Sequence, residues 1–197
     1  AQAMFIGRVG DDAFGERLLA GMRADGVNTS CVKALPKTAT GIAMIVVQPD
    51  GQHTIVICPN ANRMILPADI RALREVIAGL DAVLMQLEIP PETVAETVRL
   101  CRELGVRVIL DAGPPRAGLA PEAMKVFILS PNEDEAGKLV GREIRDLADA
   151  EKAGLLDELT TIACQRLRIW SPGYSNHRTT ATALGIAILS DNAPLLA

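Results

Sequence analysis

The chain has 197 residues, 49% apolar and 22% charged, with a net charge of −4, the composition of a globular protein long enough to bury a sizeable core. That balance argues against a chain built to neutralise nucleic-acid phosphates, which needs a basic face, and 3% aromatics leave little for a base-stacking platform. No apolar run reaches the ~20 residues of a membrane span, and Ala1-Gln2-Ala3-Met4 lacks the basic and apolar regions of a secretory signal. The four cysteines, Cys31, Cys58, Cys101 and Cys164, form no C-x-x-C pair and read as free thiols of a reducing, cytoplasmic setting. With His53 and His177 as the only histidines, an all-histidine metal site is ruled out.

Residues 3–6 form a short apolar run that predicts a strand, ended by Gly7 to Gly10. A chain opening inside a strand leads us to expect a segment upstream. Asp11 and Asp12 start a helix, where carboxylates suit the positive end of the dipole. Phe14, Leu18, Leu19 and Met22 share one face of it, and Gly26 is the expected cap. Residues 42–58 predict a hairpin with its turn at Pro49-Asp50-Gly51. Both arms are apolar at most positions, which predicts that both faces are covered, one of them by a partner chain or through closure as a lid.

From Pro67 the period changes. Ile70, Leu73, Val76 and Ile77 predict a helix over 67–79, followed by a strand over 82–87. Val94, Val98, Cys101 and Leu104 mark a helix from Pro91 to Gly105. Strands follow over 106–110 and 126–129. This alternation predicts an α/β fold with a mostly parallel, doubly wound sheet. The tail differs: residues 159–190 contain no acidic side chain, yet hold Arg166, Arg168, His177, Arg178, Trp170 and Tyr174. Residues 181–190 are consistent with a short helix or a strand. The expected division is a core over 1–158, with a hairpin at about 40–58, and a divergent tail over 159–197 that packs poorly on it.

In an open parallel sheet, ligands bind beyond the carboxyl ends of the strands. Glu88, Asp111, and Asn132 with Glu135 follow three successive predicted strands. Carboxylates gathered on one rim repel unless a cation or a hydroxylated ligand sits among them; magnesium and sugar hydroxyls both suit. Each residue also has a plain structural role open to it. Glu88 fits a solvated loop, Asp111 a cap on the turn at Ala112-Gly113-Pro114, and Asn132 with Glu135 a helix capping box. Gly7, Gly10 and Gly15 do not fit a G-x-G-x-x-G loop, and Asp11 and Asp12 would repel a phosphate there. Neither a G-x-x-x-x-G-K-[ST] nor a G-x-S-x-G motif occurs.

An ordered set of segments over about residues 3–141 resembles the ribokinase (PfkB-type) family of carbohydrate kinases. Phe5-Ile6-Gly7-Arg8-Val9-Gly10-Asp11-Asp12-Ala13-Phe14-Gly15 resembles its strand–GDxxG–helix segment. Thr40-Gly41-Ile42-Ala43, then Pro49-Asp50-Gly51 and Ala61-Asn62, resemble its lid hairpin, with Asn60 where Gly is usual. Met85-Gln86-Leu87-Glu88-Ile89-Pro90 closely resembles the corresponding segment of the family. Leu110-Asp111-Ala112-Gly113-Pro114-Pro115-Arg116 is similar to its N-P-A-P-A-R stretch, with Asp111 where Asn is usual, and Asn132 to Glu135 match its N-x-x-E motif.

The resemblance implies a three-layer fold with a small β lid, here incomplete, and transfer of the ATP γ-phosphoryl to ribose or a similar sugar with Mg2+. It implies Glu88 on the sugar, Ile42 against the sugar's apolar face, Asn132 near the nucleotide phosphates and Glu135 on Mg2+ through water. A homo-oligomer through the hairpin is a further expected partner, because the hairpin's two-sided apolar pattern wants a cover. The family's N-terminal strand with its sugar-binding Asp, its G-G-K-G-A-N segment and its D-T-x-G-A-G-D motif do not occur in the 197 residues. No catalytic base is therefore assigned. An exposed sheet edge and weak or absent activity are expected, as for a truncated or frameshifted product. The alternative is a non-catalytic interaction or sugar-binding module derived from such a kinase.

Overall fold

The computed structural model of the protein describes residues 2–114, 119–145, 149 and 186–190. The expected tail over 159–197 therefore lies outside the described residues except for 186–190.

Strand β1 spans Gln2–Gly10 and pairs in parallel with β2, Asn28–Leu35. It thus runs through the glycines expected to end it. At its tip, a Cβ on Gly10 would lie 2.3 Å from Thr38 O and 2.4 Å from Thr40 N, so only glycine fits there. Helix α1, Ala13–Ala24, starts at the N-cap Asp12, and Gly26 follows its end with φ +78°. Its expected apolar face is only partly covered among the described residues, with Leu18, Leu19 and Met22 half-buried. Phe14 is 61% exposed and Gly15 is the helix's one buried residue.

The hairpin is β3, Ile42–Val47, and β4, His53–Cys58, forming a separate two-stranded antiparallel sheet. The predicted helix over 67–79 breaks at Leu73 into α2, Pro67–Ala72, and α3, Arg74–Ala78. Strand β5 is Ala82–Met85 and helix α4 is Pro91–Leu104, which buries Val94, Val98 and Cys101 and ends at Gly105 with φ +73°. Strand β6, Arg107–Asp111, strand β7, Ile128–Ser130, and helix α5, Glu133–Val140, complete the alternation. The core joins Ile6, Ile70, Val83, Val94, Leu100 and Leu110, which bring β1, α2, α4 and the strands β5 and β6 together.

Strand β8, Ile186–Ser190, lies inside the main sheet, whose order is β2-β1-β8-β5-β6-β7. It runs antiparallel to both neighbours, with Ile6↔Ile186 and Gln2↔Ser190 on one side and Val83↔Ile188 on the other. All other pairs of this sheet are parallel. The open edge expected beside residues 3–6 is therefore filled, and of the two conformations open to 181–190 the strand forms. The described strand of the tail thus pairs between β1 and β5, contrary to the expectation of poor packing at these positions.

Candidate functional site

Strands β5, β6 and β7 are parallel and adjacent, so their carboxyl ends share one rim. The loops there are laced together. Leu87 N donates to Gly113 O at 3.0 Å, and Ala112 N to Ser130 O at 3.3 Å. Gln86 and Glu88 follow β5, Asp111 ends β6, and Glu135 lies in the first turn of α5 after β7. All four line one cavity of about 360 Å3, with Gly113 and Pro114. The rim of carboxylates expected from the strand order is thus brought together.

Two of the plain structural roles are also filled. Asp111 Oδ1 accepts Gly113 N at 3.0 Å. Asn132 Oδ1 accepts Glu135 N at 2.9 Å while Glu135 Oε2 accepts Asn132 N at 2.8 Å, a reciprocal capping box. These turns converge on Gly113. A Cβ there would lie 2.9 Å from Glu135 Oε1 and 3.2 Å from Asp111 Oδ1, so glycine leaves the space into which both carboxylates reach. Burial raises the Glu135 pKa, and the charges of Asp111 and Asp134 push it the same way, against the hydrogen bonds from Asn132. Asn132 itself, the N-cap of α5, is not among the cavity-lining residues.

The hairpin forms the opposite wall through Ala43, Ile45, Ile55 and Ile57. These are cross-strand pairs, Ala43 with Ile57 and Ile45 with Ile55, on one face of the two-stranded sheet. Ile42, expected as the lid residue, precedes Ala43 at the hairpin's root and by alternation belongs to the other face. That outer face pairs Met44 with Val56 and Val46 with Thr54. Val46 is 60% exposed and Met44 58%, and on the cavity face Ile45 is 49% and Ile55 47%, so the described residues of this chain cover neither face fully. Gln86 was not singled out from sequence. A neutral amide has no motif signal, and its spacing two residues before Glu88 was the one clue to it.

Among the described residues, no group of three or more His, Cys, Asp or Glu is arranged to hold a metal, and no helix is long and apolar enough to cross a membrane.

Comparison with known proteins agrees with this geometry. Residues 1–161 match the model of the pfkB family carbohydrate kinases. The chain is 37% identical over 139 residues to ribokinase of Bacillus subtilis, covering 71% of this chain and 47% of that protein. It is 30% identical over 196 residues to ribokinase of Mus musculus, covering 99% of this chain and 57% of the relative. The chain thus spans about half the length of these curated relatives. Among solved structures, ribokinase of Arabidopsis thaliana complexed with ribose and ATP is similar, with a TM-score of 0.65 and 30% identity over 83% of this chain and 52% of that one. The fold is ribokinase-like, and the chain belongs to the pfkB family of carbohydrate kinases.

Proposed function

We propose that the cavity is the sugar pocket of a ribokinase-type phosphotransfer site. The observation that carries this is its two-sided lining. Ala43, Ile45, Ile55 and Ile57 give an apolar wall, with Ile42 adjoining at its root, and Gln86, Glu88, Asp111 and Glu135 give acceptors opposite. Ribose or a similar sugar has the matching character, with C–H groups on the ring face and hydroxyl donors at the edge. The similar Arabidopsis ribokinase, solved with ribose and ATP, supports this choice. In this reading Glu88 accepts from a sugar hydroxyl, and Asn132 stands beside the phosphates of ATP.

Glu135 would hold Mg2+ through water, with Asp111 next to it. The donor set suits that ion, because Mg2+ keeps several waters and takes one or two carboxylates plus substrate phosphates. When bound, Mg2+ neutralises phosphate charge. The residues on the page do the rest: Gly113 leaves room for both carboxylates, and the capping box fixes Glu135 in place. The reaction is transfer of the ATP γ-phosphoryl to a sugar hydroxyl, and these 197 residues by themselves carry it out slowly at most. Cytoplasm, where ATP and reduced thiols coexist, suits the free Cys31, Cys58 and Cys101.

A second reading, a sugar-binding or interaction module, is favoured by one observation, the apolar outer face of the hairpin at Met44, Val46 and Val56. A second copy placing its own hairpin there would make a homo-oligomer. Both readings keep the sugar pocket. The test is calorimetric titration of D-ribose into the chain. Binding weakened at least ~10-fold by Glu88→Gln, the loss of a hydrogen bond to a charged group, is expected. Binding unchanged by that substitution would overturn the assignment of Glu88.

A further inference from the structure

Gln86 follows β5 and stands two residues before Glu88, and both line the cavity. The Gln86 side-chain oxygen Oε1 is buried and has no hydrogen-bond partner. Among the described residues one other side-chain atom shares that condition, Asn62 Nδ2, and it is packed against Gly41 at the hairpin's root, 2.8 Å from where a Cβ would stand. A buried carbonyl oxygen without a donor destabilises the chain that carries it, since its hydration is lost and nothing replaces it. The surroundings of Gln86 offer no obvious donor. The other polar side chains of the cavity are the carboxyls of Glu88, Asp111 and Glu135, and the facing wall is Ala43, Ile45, Ile55 and Ile57. A molecule that enters the cavity, water or a ligand, can bring the missing donor. Three carboxylates disfavour an anionic group at this point, and a sugar hydroxyl is the neutral donor that the pocket reading supplies.

We propose that Gln86 is a substrate-contacting, specificity-determining residue of this pocket, its side-chain oxygen accepting a hydrogen bond from a sugar hydroxyl. This rests on the sugar-pocket reading above. It adds to Glu88 a second acceptor lining the same cavity, two residues before it. It also accounts for an oxygen that the empty chain leaves unsatisfied. The group is kept at a cost to stability because the ligand completes it.

The test joins two measurements on the full chain. Gln86→Met removes the oxygen at nearly constant volume. If the oxygen is unsatisfied until the sugar binds, the ligand-free variant melts about 2–4 °C higher than the parent chain, and D-ribose binds about tenfold more weakly by calorimetry. Gln86→Leu serves the same comparison if the methionine variant does not fold. Ribose affinity unchanged in the variant overturns the role of Gln86 and leaves the pocket reading standing. A variant that melts lower than the parent also overturns it, because the oxygen then has a partner in the empty chain. No ribose binding by the parent chain at millimolar sugar overturns the pocket reading and this inference with it.

Discussion

Asp12 and Thr40 are tied by two hydrogen bonds: the Thr40 hydroxyl donates to Asp12 Oδ1 at 2.6 Å and the Thr40 amide to Oδ2 at 2.8 Å. Asp12 also accepts Gly15 N at 2.8 Å, capping α1, while Thr40 Oγ1 accepts Gly10 N at 2.9 Å and Thr40 O accepts Asn60 Nδ2 at 3.0 Å. Asp12 and Thr40, the latter through its hydroxyl, amide and carbonyl, therefore join the tip of β1, the start of α1 and both roots of the hairpin that walls the cavity. These bonds, the Thr40 hydroxyl first, lower the Asp12 pKa below its ordinary value of 3.8.

A depressed folded pKa means that the stabilisation is present above pH 3.8 and is lost as pH falls through the folded value. Acidification below that point is expected to loosen the hairpin roots first, read as faster amide exchange across β3 and β4 than across β5 and β6. Asp12→Asn should remove that pH dependence. Thr40→Val, which leaves the buried Gly10 amide without its acceptor, is expected to destabilise the chain by about 1–3 kcal/mol in denaturant titration.

Glu135 titrates in the opposite sense. Its pKa is raised above the ordinary 4.5, first by burial and then by Asp111 and Asp134. A raised carboxyl pKa means that the folded state holds the proton more tightly than the unfolded one. Stability is then greatest below pH 4.5 and declines as pH rises through the folded value. Glu135→Gln should flatten the melting temperature across that window. Millimolar Mg2+ at pH 7 is expected to raise the melting temperature of the parent chain and not of the variant. Equal Mg2+ effects on both would remove Glu135 from any metal role.

Strand β8 carries both ladders that connect β1 to β5. Without it, the edges of β1 and β5 have no ladder partner in a region where Phe5, Ile6, Ala82 and Val83 are buried. Proline at position 188 would remove one amide and break the pairing at Met4 and Val83. Ile188→Pro is expected to cost ~3 kcal/mol or more. In the parent chain, amides of Ala187, Ile188 and Leu189 should be protected from exchange as strongly as those of Val108 and Ile109. Weak protection there would show that the sheet does not depend on this strand.

The fold is legible in the sequence where an element is buried on both sides. The runs at Ala82 to Met85 and Val108 to Leu110 are continuously apolar and became β5 and β6. Strand β2 was not legible: only Thr29 of it is buried, so Asn28, Ser30 and Lys33 dilute its pattern. The place of β8 could not be read either, since Ile186 to Leu189 is apolar but nothing local names partners some 180 and 100 residues away. In the site, the carboxylates were legible because strand order places Glu88, Asp111 and Glu135 on one rim. The phase of the hairpin was not, because Ile42 and Met44 are as apolar as Ala43 and Ile45. An apolar pattern on both faces cannot say which face meets the cavity.

That doubled pattern has its own consequence. The outer face of the hairpin presents Met44, Val46 and Val56, exposed among the described residues, on a sheet of two strands. Two-stranded sheets are marginal alone, and contiguous exposed apolar surface marks an association site. Light scattering at micromolar concentration should find the chain as a dimer or larger. Met44→Lys, placed at the centre of this face between Ile42 and Val46, should shift it toward monomer without changing the melting temperature of the core. A clean monomer across that range would count against association through the hairpin.

The final expectation concerns turnover. Phosphoryl transfer depends on positioning and on electrostatic stabilisation of the moving group. Of the carboxylates lining the cavity, Asp111 accepts Gly113 N and Glu135 accepts Asn132 N. No Gly-Ala-Gly-Asp occurs in the 197 residues, so neither the base nor the anion-binding turn of the family motif has a counterpart among them. Loss of a general base typically slows a reaction ~10²–10⁴-fold, and loss of an anion hole about another 10²–10³-fold. A base must also lie within about 2.6–3.2 Å of the hydroxyl it deprotonates, and carboxylates held by their own turns cannot move there freely. In a coupled ADP-release assay with ribose and MgATP, the chain should therefore fall several orders of magnitude below the ~10 s⁻¹ typical of enzymes. Turnover near that value, abolished by Glu135→Gln, would show that a complete site is assembled from these residues and that a base stands where the sequence does not announce one.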